Sequence, residues 1–178
     1  MAVGIFATIA RMSYEDDSCV REATAADAPE ILSCLRAAFA PFRQRYTPGA
    51  FLDTVLNVTR LEERMTRMKI FVAANNSGGV AGTIGCSVKG EEGHLRGMAV
   101  WPQLHGRGVA PKLLAAAENE LRAAKCSYIT LCTTAPLERA IHFYRRRGYH
   151  ASGRVRDWFG MPLYEYAKRS QSAHCLRL

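Results

Sequence analysis

GMAVWPQLHGRGVAPKLL, residues 97–114, changes character in its middle. An apolar run ends at Trp101-Pro102, two glycines follow in HGRG, and a helical pattern opens near Pro111. A helix N-terminus leaves its first amides without carbonyl partners, and the macrodipole makes that end partly positive. Glycines let a bulky anion approach those amides because no Cβ stands in the way. Strand, glycine-rich turn and helix therefore read as a phosphate cradle or as an ordinary tight turn. Two familiar phosphate motifs are excluded. GRGVAP lacks the third glycine of the dinucleotide fingerprint, and no GK[ST] follows.

Upstream, EEGHLRGMAV is the strand that feeds this turn, and Gly97 within it marks a bulge or a close backbone approach. KIFVAA and VAGTIGCSV are apolar and β-branched, with hairpin chemistry in NNSGG between them. CVREATAADAPEIL predicts a short strand, a turn and a helix. Asp27 with Glu30 three residues on has capping-box spacing, and Ile31, Leu35, Ala38 and Phe39 share one helix face. A second helix is predicted over about Pro48 to Met68, after the loop APFRQRYTPG. Downstream, a helix from about Gly108 to Ala124 buries Leu113, Leu114, Ala117 and Leu121, and SYITLCT is a strand. A last helix, Pro136 to Arg147, ends on three arginines and the left-handed cap Gly148. Two final strands, HASGRVR and LYEYAKR, are joined through DWFGMP. The order β-α-α-β-β-β-α-β-α-β-β predicts an α/β domain with a mixed, mostly antiparallel sheet flanked by helices.

A chain of 178 residues fits one domain. We place it at residues 19–169, between a flexible arm at 1–18 and a tail at 170–178. The apolar opening MAVGIFATIARM is too short to span a bilayer and lacks a basic leader. The 24 Lys and Arg against 16 Asp and Glu give a net charge of +8, which favours anionic ligands. The basic residues are scattered rather than massed, which argues against nucleic acid. Six cysteines without metal-ligand spacing are read as reduced thiols in a cytoplasm, with no metal site. Cys126 and Cys132, flanking a strand, are read as packing residues.

MAVWPQLHGRGVAPKLL reproduces the xVxPxxxGxGxG/A signature of the GNAT superfamily of acyl-CoA-dependent N-acetyltransferases. AIHFYRRRGY further on matches that family's AxxFYxxxGF, and the chain from about Cys19 to Arg169 resembles it in order of elements. The resemblance implies the GNAT fold, with a central strand pair that splays apart, and acetyl-CoA as acyl donor. It further implies that the backbone of Met98, Ala99 and Val100 pairs with the pantetheine arm. The amides of His105, Gly106, Arg107, Gly108, Val109 and Ala110 would hold the pyrophosphate. His105 replaces a common Gln or Arg, and Leu137 replaces an Asn that many relatives use on the cofactor.

Acetyl transfer to an amine needs a neutral amine, a polarised thioester carbonyl and a stabilised thiolate. The resemblance assigns the carbonyl to the Val100 amide and the general acid to Tyr144, although Leu137, Ala140, Ile141 and Tyr144 also read as a core helix face. A free phenol near pKa ~10 against a thiol near ~8.5 makes full proton transfer uphill by roughly 2 kcal/mol, so hydrogen bonding to the thiolate counts as much. Glu91, Glu92 and His94 are the candidate bases. His94 titrates near neutrality and alternates onto one strand face with Arg96 and Met98; the two glutamates read as hairpin surface charges. His142 points away from Tyr144. By resemblance, APFRQRYTPGAF and RDWFGMPLY wall the acceptor site. Arg43 and Arg45 there suit a carboxylate, and Phe42, Tyr46 and Trp158 suit an apolar acceptor, although solvated arginines and lid packing explain them too.

The leading reading is an N-acetyltransferase acting on a primary amine of a small molecule or peptide by direct transfer in a ternary complex, with no nucleic acid or membrane partner and scope for a homodimer. A noncatalytic acyl-CoA-binding or sensing module is the alternative that burial of Tyr144 would favour. A basic nucleic-acid-binding domain is the third.

Overall fold

A computed structural model describes residues 19–74 and 79–170 of the chain. The opening arm, the tail from residue 171 and most of the NNSGG turn lie outside the described residues. Within them the strands are β1 (Cys19–Glu22), β2 (Lys69–Ala74), β3 (Val80–Lys89), β4 (Glu92–Val100), β5 (Tyr128–Thr133), β6 (His150–Trp158) and β7 (Met161–Arg169). The helices are α1 (Ala28–Phe39), α2 (Pro48–Thr54), α3 (Val58–Arg67), α4 (Val109–Ala123) and α5 (Glu138–Arg145). One sheet runs in the order β1-β2-β3-β4-β5-β7-β6. Its neighbours are antiparallel except β4 and β5, which α4 joins as a parallel crossover. This is the expected mixed α/β architecture. No helix among the described residues is long and apolar enough to cross a membrane.

Helices cover both faces. On one, Leu113, Leu114, Ala117 and Leu121 of α4 pack on Leu95, Ile129 and Leu131. On the other, Ile31 and Leu35 of α1 with Leu61 of α3 pack on Ile70, Val72 and Ala99.

The central strand pair is only half zipped. The β4–β5 ladder runs from Glu92↔Tyr128 to Leu95↔Leu131 and stops. Beyond it, β4 pairs with β3 and β5 with β7. One residue past the stop, β4 bulges: between Gly85↔Arg96 and Thr83↔Ala99 it advances by three residues while β3 advances by two. A bulge bends its strand and strengthens the local twist, which turns β4 away from β5 where their pairing ends. Gly97 in the bulge takes φ +68, and a Cβ there would lie 3.1 Å from Arg64 Nη1. Both readings of that glycine, a bulge and a close approach, hold.

Three local expectations are corrected. The helix predicted over Pro48 to Met68 is two helices, because the chain leaves helical geometry at Val55 and Asn57 caps α3, accepting from Arg60 N–H at 2.9 Å. The capping box is Thr24–Asp27, three residues earlier than Asp27–Glu30. The Thr24 N–H donates to Asp27 Oδ2 at 2.7 Å, and Arg21 grips both oxygens of that carboxylate at 2.8 Å. That arginine holds the Asp27 carboxyl well below the usual carboxylate range, and Asp27 makes no side-chain capping bond to α1. The last hairpin is also tighter than DWFGMP suggested. Phe159 and Gly160 take φ +52 and +79, the left-handed pair of a type I′ turn, so pairing continues to Trp158↔Met161.

Candidate active site

Two cavities flank the split in the sheet. The first, a groove of about 580 Å³, lies between the end of β4, the loop that follows it and α5. Met98, Ala99, Val100, His105, Gly106, Gly108, Val109 and Ala110 line it; Arg107 is exposed outside it. Gly106 and Gly108 take φ +82 and +80, and a Cβ on either would meet no atom within 4 Å. Helix α4 starts without a side-chain cap, and Lys112 N–H reaches back to Gly108 O at 3.3 Å. The amides of Gly108, Val109 and Ala110 therefore have no carbonyl one turn back, and Pro111 has no N–H at all. Arg139 and Arg146 of α5 and its C-terminal end line the same groove. Orphan amides, two cleared glycines and facing guanidiniums form a setting that fits the diphosphate of coenzyme A.

The backbone of β4 supplies the rest of that wall. Trp101 N–H donates to Ala81 O at 3.0 Å, on the β3 side. By strand alternation Ala99 also turns to β3, while the Val100 N–H and C=O point away from it, into the split. The His105 ring closes the loop over this point. Its Nδ1 lies 3.1 Å from Arg139 Nη1 and its Nε2 lies 3.1 Å from Val100 O. Arginine only donates, so Nδ1 accepts and Nε2–H donates to the carbonyl.

The second cavity, about 360 Å³, is lined by His94 and Arg96 of β4, Asp53 of α2, Arg64 of α3, the end of β5, and Arg156 and Trp158 of the last hairpin. Asp53 is its hub. Its Oδ2 accepts from Arg96 Nη2 at 2.5 Å and from Trp158 Nε1 at 3.0 Å, and its backbone carbonyl accepts from Arg64 Nη2 at 3.1 Å. Burial, with the Arg96 charge second, lowers the Arg64 guanidinium to about 10. Thr133, the last residue of β5, also lines the cavity, and its buried hydroxyl has no hydrogen-bond partner among the described residues. The hairpin that carries Trp158 is tied to α2, because Thr47 Oγ1 donates to Phe159 O at 2.7 Å.

Phe39, Met98, Leu137, Ala140 and Tyr144 line both cavities. Tyr144 is 7% exposed, and its hydroxyl donates to Met98 Sδ at 3.1 Å. A thioether is a weak acceptor, so this proton is held loosely. Burial pushes the phenol well above its ordinary value, further from full proton donation than a free tyrosine.

His94 is half-buried. Its Nδ1 lies 2.8 Å from Thr130 Oγ1, and that hydroxyl donates to Glu92 Oε1 at 2.6 Å. A threonine has one hydroxyl proton, so Thr130 accepts from His94 Nδ1–H, and Nε2 of the neutral ring keeps its lone pair. Burial lowers the imidazole below its ordinary value, the opposing Glu92 charge notwithstanding. The ring is therefore neutral at pH 7.

Sequence reasoning reached His94, Tyr144 and the loop, and it set Phe42, Tyr46 and Trp158 together at the acceptor; Tyr46 and Trp158 line the second cavity, whereas Phe42 lines the groove instead. It did not reach Asp53, Arg64 or Thr130, and it read Glu92 as a surface charge. Arg43 and Arg45 are exposed and line neither cavity; Arg43 lies over the Phe51 ring at 5.0 Å from its centroid. Cys132 also lines the second cavity, with Arg156 Nη2 3.2 Å from its sulfur.

Comparison with known proteins agrees with this fold. The model of the acetyltransferase (GNAT) family matches residues 30–149. The uncharacterized protein YdhI of Bacillus subtilis (strain 168) is 32% identical over 79 residues, 44% of this chain and 48% of that protein, so the match spans about half of that relative's length. Among solved structures, a GNAT-family acetyltransferase from Staphylococcus aureus Mu50 superposes with a TM-score of 0.71 at 17% identity, over 86% of this chain and 99% of the other. PaiA N-acetyltransferase from Thermoplasma acidophilum, solved in complex with coenzyme A, gives 0.70 at 14% identity, over 85% and 98%. At such identities the likeness is one of fold.

Proposed function

The chain belongs to the acetyltransferase (GNAT) family, and from that premise we propose that it moves the acetyl group of acetyl-CoA to a primary amine of a small molecule or peptide, by direct transfer in a ternary complex. The observation that carries this reading is the pair of cavities meeting at Met98 and Tyr144, one walled by orphan amides and the other by ionisable side chains. Acetyl-CoA, when bound, supplies an activated acyl thioester. Gly108, Val109 and Ala110 bind its diphosphate through their amides, and the Val100 N–H polarises the acyl carbonyl.

On the acceptor side, His94 Nε2 takes the proton that the amine loses as its nitrogen bonds to the acyl carbon. Thr130 and Glu92 fix the tautomer that makes this possible and favour the imidazolium that results. Tyr144 acts on the leaving side as a hydrogen-bond donor to developing thiolate charge, because its raised pKa makes complete proton transfer costly.

Acetyl-CoA at about 100 times its dissociation constant adds roughly 2.7 kcal/mol of stability. For a chain of this size that is a melting shift of roughly 5 to 10 °C. Thiol release from acetyl-CoA should then depend on added amine, with mass detection of the acetylated product. The burial of Tyr144, 7% exposed, favours the second reading, a noncatalytic acyl-CoA-binding module. A melting shift without amine-dependent thiol release would select that reading.

A further inference from the structure

The second cavity carries more positive charge than its own carboxylates offset. Arg64 and Arg96 line it, and with Arg60 and Arg67 they also line an outer opening of about 320 Å³. Against these four guanidiniums stand Asp53 and Glu63. Asp53 already serves Arg96 and Trp158 through one oxygen. Arg64 donates to a neutral backbone carbonyl, and burial and the like charge of Arg96 outweigh the opposing charge of Asp53 on it. On the hairpin side, Arg156 lies 4.0 Å from Glu165, and Asp157 is turned to the Gly160 N–H at 3.2 Å. A partly buried guanidinium beside a second one is a costly arrangement until an anion joins it. The glycine at 97 leaves room for Arg64 against the bulge, and the unpartnered Thr133 hydroxyl adds a polar group to the same space.

We infer that the acceptor is an amine that also carries a carboxylate, with the carboxylate held by Arg64 and Arg96 and the amine presented to His94. This rests on the acetyltransferase reading above. The planar fork of arginine matches a carboxylate with paired N–H donors. Arg96 stands two residues from His94 on one strand, about 7 Å at the ordinary rise, so both groups belong to one small molecule or one end of a peptide. A polyamine has no such match: it would bring cations to Arg64, Arg96 and Arg156 and find Asp53 engaged.

The test is steady-state acetylation by the full chain of free α- and ω-amino acids, each paired with its own carboxamide, with spermidine alongside. The expected result is a preference in kcat/KM for acid over amide of about 10 to 100-fold, the usual worth of hydrogen bonds to a charged group. Arg64→Gln should bring that ratio toward one, and Arg96→Gln is the second variant should the first fail to fold. If neither folds, the ratio in the unaltered protein still decides. Equal use of acid and amide, or a preference for spermidine, overturns the inference and leaves the acetyltransferase reading standing. Acetyl-CoA binding with no amine acetylated overturns both.

Discussion

The groove and the inner cavity meet at one tyrosine but are made in opposite ways. The groove takes half of its lining from one short stretch, Met98 to Pro111, and offers backbone amides. The inner cavity draws on α2, α3, β4, β5 and the last hairpin, and offers guanidiniums, two carboxylates, an imidazole and hydroxyls. Backbone donors are indifferent to most side-chain changes, so they suit a ligand that never varies. Side chains converging from distant elements can be exchanged one at a time, so they suit a ligand that distinguishes one enzyme from its relatives. A contiguous site also announces itself as a motif, whereas a convergent one exists only once the chain has folded.

The sharpest way to break this contrast is Gly108→Glu. A Cβ at this position meets no atom within 4 Å, and the added carboxylate sets a negative charge against the proposed diphosphate site. Acetyl-CoA affinity should fall by about a hundredfold or more, the worth of two lost charge-assisted bonds. Gly108→Ala carries the same left-handed backbone cost, about 1 to 2 kcal/mol, without the charge, and should lose far less affinity. A folded Gly108→Glu protein with normal affinity by calorimetry would place the phosphates elsewhere.

Tyr144→Phe probes the seam between the two regions. It keeps the ring and its edge contacts with Phe143 and Tyr149 and deletes one hydrogen bond, to a sulfur. We expect kcat to drop roughly 10 to 100-fold, the low end for a positioned acid, with acetyl-CoA affinity nearly unchanged. Wild-type turnover, or a change confined to melting temperature, would make Tyr144 a core residue alone.

His94→Ala sharpens the inner side and carries the smallest effect, about tenfold or less at pH 7, since solvent can also accept the proton. Its signature is the pH profile. With His94 present, kcat/KM should be full at neutral pH and fall as pH drops through an ionisation below the ordinary histidine value of ~6.5, because protonated Nε2 cannot accept. The variant should lose that acid limb. An unchanged profile would assign the base to another group.

Much of the fold was legible because its elements carry their own signals: apolar periodicity in α1 and α4, β-branched runs in β2 and β3, glycines at the bulge and the loop. The groove was legible for the same reason. Asp53 and Arg64 were not, since a charged residue on a helix most often faces solvent, and only the packing of α2 and α3 over β4 turns these two inward. Glu92 resisted for a subtler reason. Its partner Thr130 lies 38 residues away on the parallel neighbour of β4, a pairing that no local pattern encodes. Asn57 alone could have been caught, because a cap residue in the middle of a helical run is a written break.

The bulge at Gly97 can also be considered as arithmetic. Leu95 and Val100 belong to the same core beneath α4, although five positions separate them. In a regular strand an odd separation sends two side chains to opposite faces, and here the one extra residue restores the parity. A chain shortened by that single residue would keep both halves of β4 in phase with the core, and nothing would then bend the strand away from β5. The extra residue is a shim. The hydrophobic core would assemble without it, and what it maintains is the gap itself, so that a sheet which would otherwise close along its centre line stays open between the two cavities that flank it.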